Sequence, residues 1–106
     1  MVYTIKEIAE RIRPVAEEYN LNAVYLFGSY AKGMATESSD IDFLIDDTGS
    51  GLRGIRYGGL FMDLQDCVEK PIDMLTEKEK NAAYSDDVHF AANLDEEKLK
   101  IYDSIR

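Results

Sequence analysis

Apolar residues recur every three or four positions at the start of the chain, at Ile5, Ile8, Ile12, Val15 and Tyr19. That spacing predicts one apolar face of an amphipathic helix ending near Tyr19. Thr4 and Glu7 frame its start as a capping box, and Asn20 suits its end. Pro14 falls inside the stripe; with no N–H to offer Glu10, it is expected to bend the helix. The period then shortens. Residues 22–27 and 41–46 predict two strands, and Gly49, Gly51 and Gly54 mark a mobile loop after the second strand. Leu60, Leu64, Cys67 and Val68 outline a second amphipathic helix, and residues 71–75 a short third strand. Thr76 with Glu79 forms a second capping box, placing a helix start near Glu77. Ser85-Asp86-Asp87 could open another helix, and residues 100–102 could end the chain in extended form. The order α-β-β-α-β-α predicts an α/β (α+β) fold, a small sheet flanked by helices, with residues 1–106 as one domain.

Composition narrows the partners. The chain has 106 residues, 45% of them hydrophobic, enough for a core of its own. It has no run of about 18 apolar residues, which a membrane helix needs, and no charged leader before an apolar stretch, so a cytoplasmic location is expected. The single Cys67 lies within the apolar pattern and is expected to be a buried structural thiol. Twelve basic residues against 21 acidic ones give a net charge of −9. Affinity for polynucleotides rests on Lys and Arg neutralising phosphates, so DNA and RNA are poor candidates. A nucleoside triphosphate escorted by divalent cations stays compatible with this charge, and so does a basic protein surface.

Candidate chemistry concentrates in residues 27–46. The apolar run Val24-Tyr25-Leu26-Phe27 stops at Gly28-Ser29, and ten residues later comes Asp40-Ile41-Asp42. A Gly-Ser turn leaving a strand can present backbone N–H groups and a hydroxyl to a phosphate, because no Cβ obstructs its approach at glycine. Ser29 is expected to cap a short helix over residues 30–33, although an ordinary strand-to-helix turn would read the same way. Asp40 and Asp42 are two apart in a strand, so they share a face while Ile41 and Phe43 point into a core. Side chains starting roughly 7 Å apart can converge on two cations ~4 Å from each other, the spacing of two-metal phosphoryl-transfer sites. Mg²⁺ fits an all-oxygen donor set completed by water and phosphate. The alternative is that Asp40 caps a turn and Asp42 ends a loop. Asp73, flanked by Ile72 and Met74, is a charge inside a short apolar strand and requires a counterpart. If its strand neighbours that of Asp42, three carboxylates meet; otherwise it faces water on a sheet edge.

Other residues are weaker candidates. Lys32, Arg53 and Arg56 could reach polyphosphate oxygens but read equally well as surface charge. Asp46 shares the parity of Asp42 yet sits beside Asp47, as a solvated loop acid would. His89 reads as a surface histidine.

Gly28-Ser29 followed after ten residues by Asp40-Ile41-Asp42, with Asp73 in register, resembles the active-site pattern of the DNA polymerase β-like nucleotidyltransferase superfamily. Within it, the chain is similar to the minimal nucleotidyltransferases of prokaryotes, which include the MntA-type antitoxins. The likeness runs through nearly the whole chain, from the leading helix at Arg13-Pro14 and residues 24–33 and 38–45 to residues 54–64, 70–75 and 101–104. Neither motif half is specific alone; together at this spacing they are. The resemblance implies a mixed sheet, Asp40, Asp42 and Asp73 as Mg²⁺ ligands, and Gly28, Ser29 and Lys32 at the triphosphate. Lys32 stands where many relatives carry Arg, which keeps the charge but not the bidentate grip.

The resemblance also implies transfer of AMP from ATP to a hydroxyl with release of pyrophosphate, in MntA-like members onto a tyrosine of a HEPN-domain RNase toxin. The expected cofactor is Mg²⁺, as two ions, with ATP as substrate and a HEPN-domain protein as partner; a homo-oligomer stays open. Two alternatives remain: an acidic module that neutralises a toxin by contact alone, and a nucleotidyltransferase acting on a small molecule.

Overall fold

The computed structural model describes residues 2–77 and 98–104. Helix α1 spans Ile5–Glu18, strand β1 Ala23–Phe27, helix α2 Gly28–Ala31, strand β2 Ile41–Asp46, helix α3 Arg56–Val68, strand β3 Ile72–Thr76 and strand β4 Leu99–Asp103. The capping box forms: the Glu7 N–H donates to Thr4 Oγ1 at 3.1 Å and the Thr4 N–H to Glu7 Oε1 at 2.9 Å. Pro14 does not stop α1, because helical bonding resumes past it, with the Tyr19 N–H donating to the Val15 carbonyl at 3.0 Å. Asn20, at φ 56°, takes the left-handed turn that ends the helix. Its buried face is Ile8, Ile12 and Ala16 rather than the full expected stripe; Ile5, at the open first turn, is 37% exposed.

The strands form one mixed sheet in the order β3-β2-β1-β4. β1 runs antiparallel to β2 and to β4, while β2 and β3 are parallel. Parallel neighbours need a crossover, and α3 supplies it. Register sorts the side chains by face. Val24, Leu26, Ile41, Phe43, Ile45 and Ile72 join Ile8, Ile12, Leu60, Leu64 and Val68 in one core, so α1 and α3 pack on that side. The opposite face carries, in successive rows, Phe27-Asp42-Asp73, Tyr25-Leu44-Leu75 and Ala23-Asp46.

Several sequence-based expectations change. α2 begins at Gly28, with Phe27 as its N-cap and no side-chain cap, so Ser29 lies inside the first turn and does not cap it. Thr76 ends β3 and is buried; its expected capping partner, Glu79, lies outside the described residues, as do the expected helix from residue 85 and His89. The closing extended piece is β4, which pairs with β1 at the edge of the sheet opposite β3. Cys67 is half-buried rather than fully buried as expected; it packs against the core from α3, its thiol donates to the Leu64 carbonyl at 3.1 Å, and burial pushes its pKa up. Among the described residues, no helix is long and apolar enough to cross a membrane.

Candidate active site

β1, α2, β2 and β3 bring the predicted residues to one end of the sheet. Asp42 and Asp73 are register partners on the parallel strands β2 and β3, and so lie side by side on one face. Phe27 pairs with Asp42 from the other flank, and the chain turns out of the sheet at Gly28 immediately after it. Gly28 has φ +70°, and a Cβ built there would collide with Asp42 Oδ2. Only glycine allows both this backbone and this approach of the carboxylate. The Gly-Ser turn and Asp42 are thus in contact, which the ten-residue separation does not reveal.

Asp42 is half-buried, whereas Asp40 and Asp73 are exposed. Burial pushes the Asp42 pKa up to about 6, helped by its hydrogen bond with Asp73 and by the negative charges of Asp73 and Asp40. Asp42 and Asp73 are within hydrogen-bond reach of each other, and Asp40 lies within electrostatic reach of Asp42. Asp40 comes from the loop before β2, which hydroxyl groups tie together: the Thr36 N–H donates to Ser39 Oγ at 2.8 Å, and Thr36 Oγ1 lies 3.1 Å from Ser38 Oγ. In α2 the Lys32 N–H donates to the Gly28 carbonyl at 3.2 Å, and the Met34 N–H to the Ser29 carbonyl at 2.9 Å. Lys32, the exposed C-cap, lies one turn beyond Gly28.

The other candidates do not join this cluster. Arg56 opens α3 on the helical side of the sheet, its guanidinium 5.1 Å from the Tyr19 ring centre. Arg53 is exposed in the loop before it. Asp46 shares the carboxylate face but sits at the far end of β2, and it is not a solvated acid. It accepts from Asn22 Nδ2 at 2.7 Å and from the Thr48 N–H at 3.1 Å. Burial would raise its pKa, but the bonds from Thr48 and Asn22 outweigh that and hold it below the usual carboxylate range. Asp46 pins the β2 turn.

Sequence reasoning passed over Tyr30 and Lys70. Tyr30, in α2, is 3% exposed, and Lys70 Nζ donates to its hydroxyl at 3.0 Å. A buried tyrosine next to Ser29 and a lysine just before the Pro71-Ile72-Asp73 strand were the available signals.

Does this cluster suit the implied Mg²⁺? Its donors are hard oxygens, and burial, Asp73 and Asp40 together disfavour the ionised form of Asp42, a penalty that a bound cation would offset. Among the described residues, no three Asp, Glu, His or Cys gather closely enough to enclose an ion by themselves. Mg²⁺ does not require that. It is commonly held by one or two carboxylates, with substrate phosphates and water completing the shell. Asp42 and Asp73 fit that pattern, with Asp40 at the rim.

Known proteins share this family and fold. The family model for polymerase β nucleotidyltransferases matches residues 10–89. Two proteins of Methanocaldococcus jannaschii named "Putative protein adenylyltransferase" are similar. One is 33% identical over 72 residues, covering 68% of this chain and 76% of the relative. The other is 34% identical over 87 residues, covering 76% and 86%. Among solved structures, a toxin–antitoxin complex with AMP-PNP contains a chain that superposes with TM-score 0.69 at 19% identity, over 92% of this chain and 74% of that one. The tri-AMPylated Shewanella oneidensis HEPN toxin in complex with MNT antitoxin contains another, at TM-score 0.64 and 17% identity, over 94% and 73%. At such identities the structures speak for the fold. With a family match over most of its length and relatives more than 30% identical, the chain belongs to the polymerase β nucleotidyltransferase family and is a nucleotidyltransferase.

Proposed function

We propose that this chain transfers AMP from ATP to a hydroxyl of a partner protein, a tyrosine of a HEPN-domain toxin, and acts as its antitoxin. The observation that carries this is the pairing of Asp42 with Asp73 against the Cβ-free side of Gly28. It sets an electron-rich pair of carboxylates next to backbone suited to phosphate. The names of the M. jannaschii relatives and the AMPylated HEPN toxin in a structural neighbour support the choice of nucleotide and acceptor.

In this reading Gly28 and Ser29 hold the triphosphate through first-turn amides and the Ser29 hydroxyl, with Lys32 on its outer oxygens. Asp42 and Asp73, assisted by Asp40, would hold Mg²⁺, which when bound offsets charge on the triphosphate and acidifies the attacking hydroxyl. The acceptor oxygen attacks the α-phosphorus in line and its proton passes to Asp73. The bond from that phosphorus to the β-bridging oxygen breaks, and pyrophosphate leaves. Asp40 and Asp73 are exposed at this end of the sheet, and in this reading the acceptor arrives on a second protein docked over them. A net charge of −9 suits a basic partner surface.

The test is incubation with α-labelled ATP, Mg²⁺ and a HEPN-domain protein from the same organism. Label should appear on that protein with the wild-type chain and be absent with Asp42→Asn. Tight association without label would replace the enzyme with an acidic docking module.

A further inference from the structure

Lys70 belongs to none of the groups assigned above, yet it bonds to Tyr30, next to Ser29, and to the loop before Asp40. Its Nζ donates to the Tyr30 hydroxyl at 3.0 Å and to the Glu37 carbonyl at 3.1 Å, and lies 5.5 Å from the Tyr30 ring centre. Tyr30 belongs to α2 and follows Ser29; Glu37 belongs to the loop that delivers Asp40. The next residue, Pro71, accepts from the Ile41 N–H at 3.2 Å, closing the β2–β3 pairing one residue before Asp42 and two before Asp73. One ammonium thus joins the phosphate turn, the Asp40 loop and the entry to the Asp73 strand. Tyr30 packs in the helix-side core, so the junction lies behind the carboxylate face.

We propose that Lys70 is a positioning residue for AMP transfer, fixing the Gly28-Ser29 turn relative to Asp40, Asp42 and Asp73. This rests on the function proposed above. α2 is only four residues long and has no side-chain N-cap, so its own hydrogen bonds hold it weakly. The clamp supplies what the short helix lacks, through two charge-assisted hydrogen bonds. A displacement of about 1 Å between nucleotide and carboxylates can cost on the order of a hundredfold in rate. An open pocket of about 390 Å³, lined by Tyr3, Glu37, Glu69, Lys70 and Pro71, adjoins the lysine on the Glu37 side and gives a longer guanidinium space there.

The experiment compares wild type, Lys70→Met, Lys70→Arg and Tyr30→Phe. It uses AMP transfer from α-labelled ATP to a HEPN-domain protein, binding of a fluorescent ATP analogue with Mg²⁺, and thermal unfolding. Lys70→Met should lower kcat by ten- to a hundredfold, with KM for ATP changed less than threefold and Tm within a few degrees. Lys70→Arg should recover most of kcat, and Tyr30→Phe, which keeps the ring but loses the hydroxyl acceptor, should fall between. Wild-type rates in Lys70→Met, or a loss that Lys70→Arg does not recover, would overturn the proposal. Should Lys70→Met not fold, Tyr30→Phe decides: an unchanged kcat overturns the clamp. An inactive wild-type chain would instead refute the transferase reading itself.

Discussion

Asp42 trades stability for charge. Its folded pKa of about 6 stands above the ordinary 3.8, so the folded state binds this proton more tightly than the unfolded one. The resulting stabilisation is fully present below pH 3.8 and is lost as pH rises through about 6. Such a shift in a dry site would be worth about 3 kcal/mol. Asp42 is only half-buried, and solvent screening reduces this to ~1 kcal/mol. Asp42→Asn, which keeps the shape and cannot ionise, should therefore unfold at higher denaturant than wild type at pH 8 and show little difference at pH 4. The same variant should transfer no AMP. Mg²⁺ at pH 8 should raise the Tm of wild type and leave that of Asp42→Asn unchanged; equal shifts would remove Asp42 from the ion. Gly28→Ala makes the complementary test. Its methyl would meet the Asp42 carboxylate in a left-handed backbone, at a cost of roughly 1–3 kcal/mol. AMP transfer should drop at least a hundredfold, and nucleotide titration should show weaker binding.

At the scale of elements, the capping of α1 and the packing of α3 separate stability from activity. Thr4→Ala removes one half of a formed capping box and should cost about 1 kcal/mol in chemical denaturation, with kcat unchanged. Leu64→Ala empties a fully buried position between α3 and the sheet and should cost ~2–5 kcal/mol. It should lower Tm well before it alters the rate measured at 20 °C, because Leu64 packs on the sheet face opposite the carboxylates. The loop from residue 36 to residue 39 behaves differently, since its order depends on hydroxyls and on Lys70 rather than on apolar burial.

The whole molecule adds its charge. With 21 acidic and 12 basic residues, association with a basic partner should be fast at low salt and slow by about tenfold between 0.05 and 0.5 M NaCl, as stopped-flow mixing with the HEPN-domain protein would show. A 20-nucleotide single strand should not bind measurably at 0.15 M salt. At this scale the sequence was informative for local reasons. The Thr4–Glu7 box, the strands at Ala23–Phe27 and Ile41–Asp46, and the helix through Leu60 and Leu64 came within a residue or so, because caps and apolar periods act over one or two turns. Parity placed Asp42 away from Ile41 and Phe43, as found. It could not foresee that Leu44, on the acidic face, is fully buried, or that Asn22 and Thr48 hold Asp46. The sequence by itself determined much of the inventory: the first helix, the first three strands, the helix through Leu60 and Leu64, which acids share a parity, and that a glycine follows Phe27. Only the tertiary structure decided that β3 lies parallel to β2 with Asp73 beside Asp42, that the Asp42 carboxylate occupies the space a Cβ at Gly28 would take, and that Lys70 ties α2 to the Asp40 loop. Those are contacts between residues 14 to 40 positions apart, where strand order and register, not local spacing, choose the neighbour.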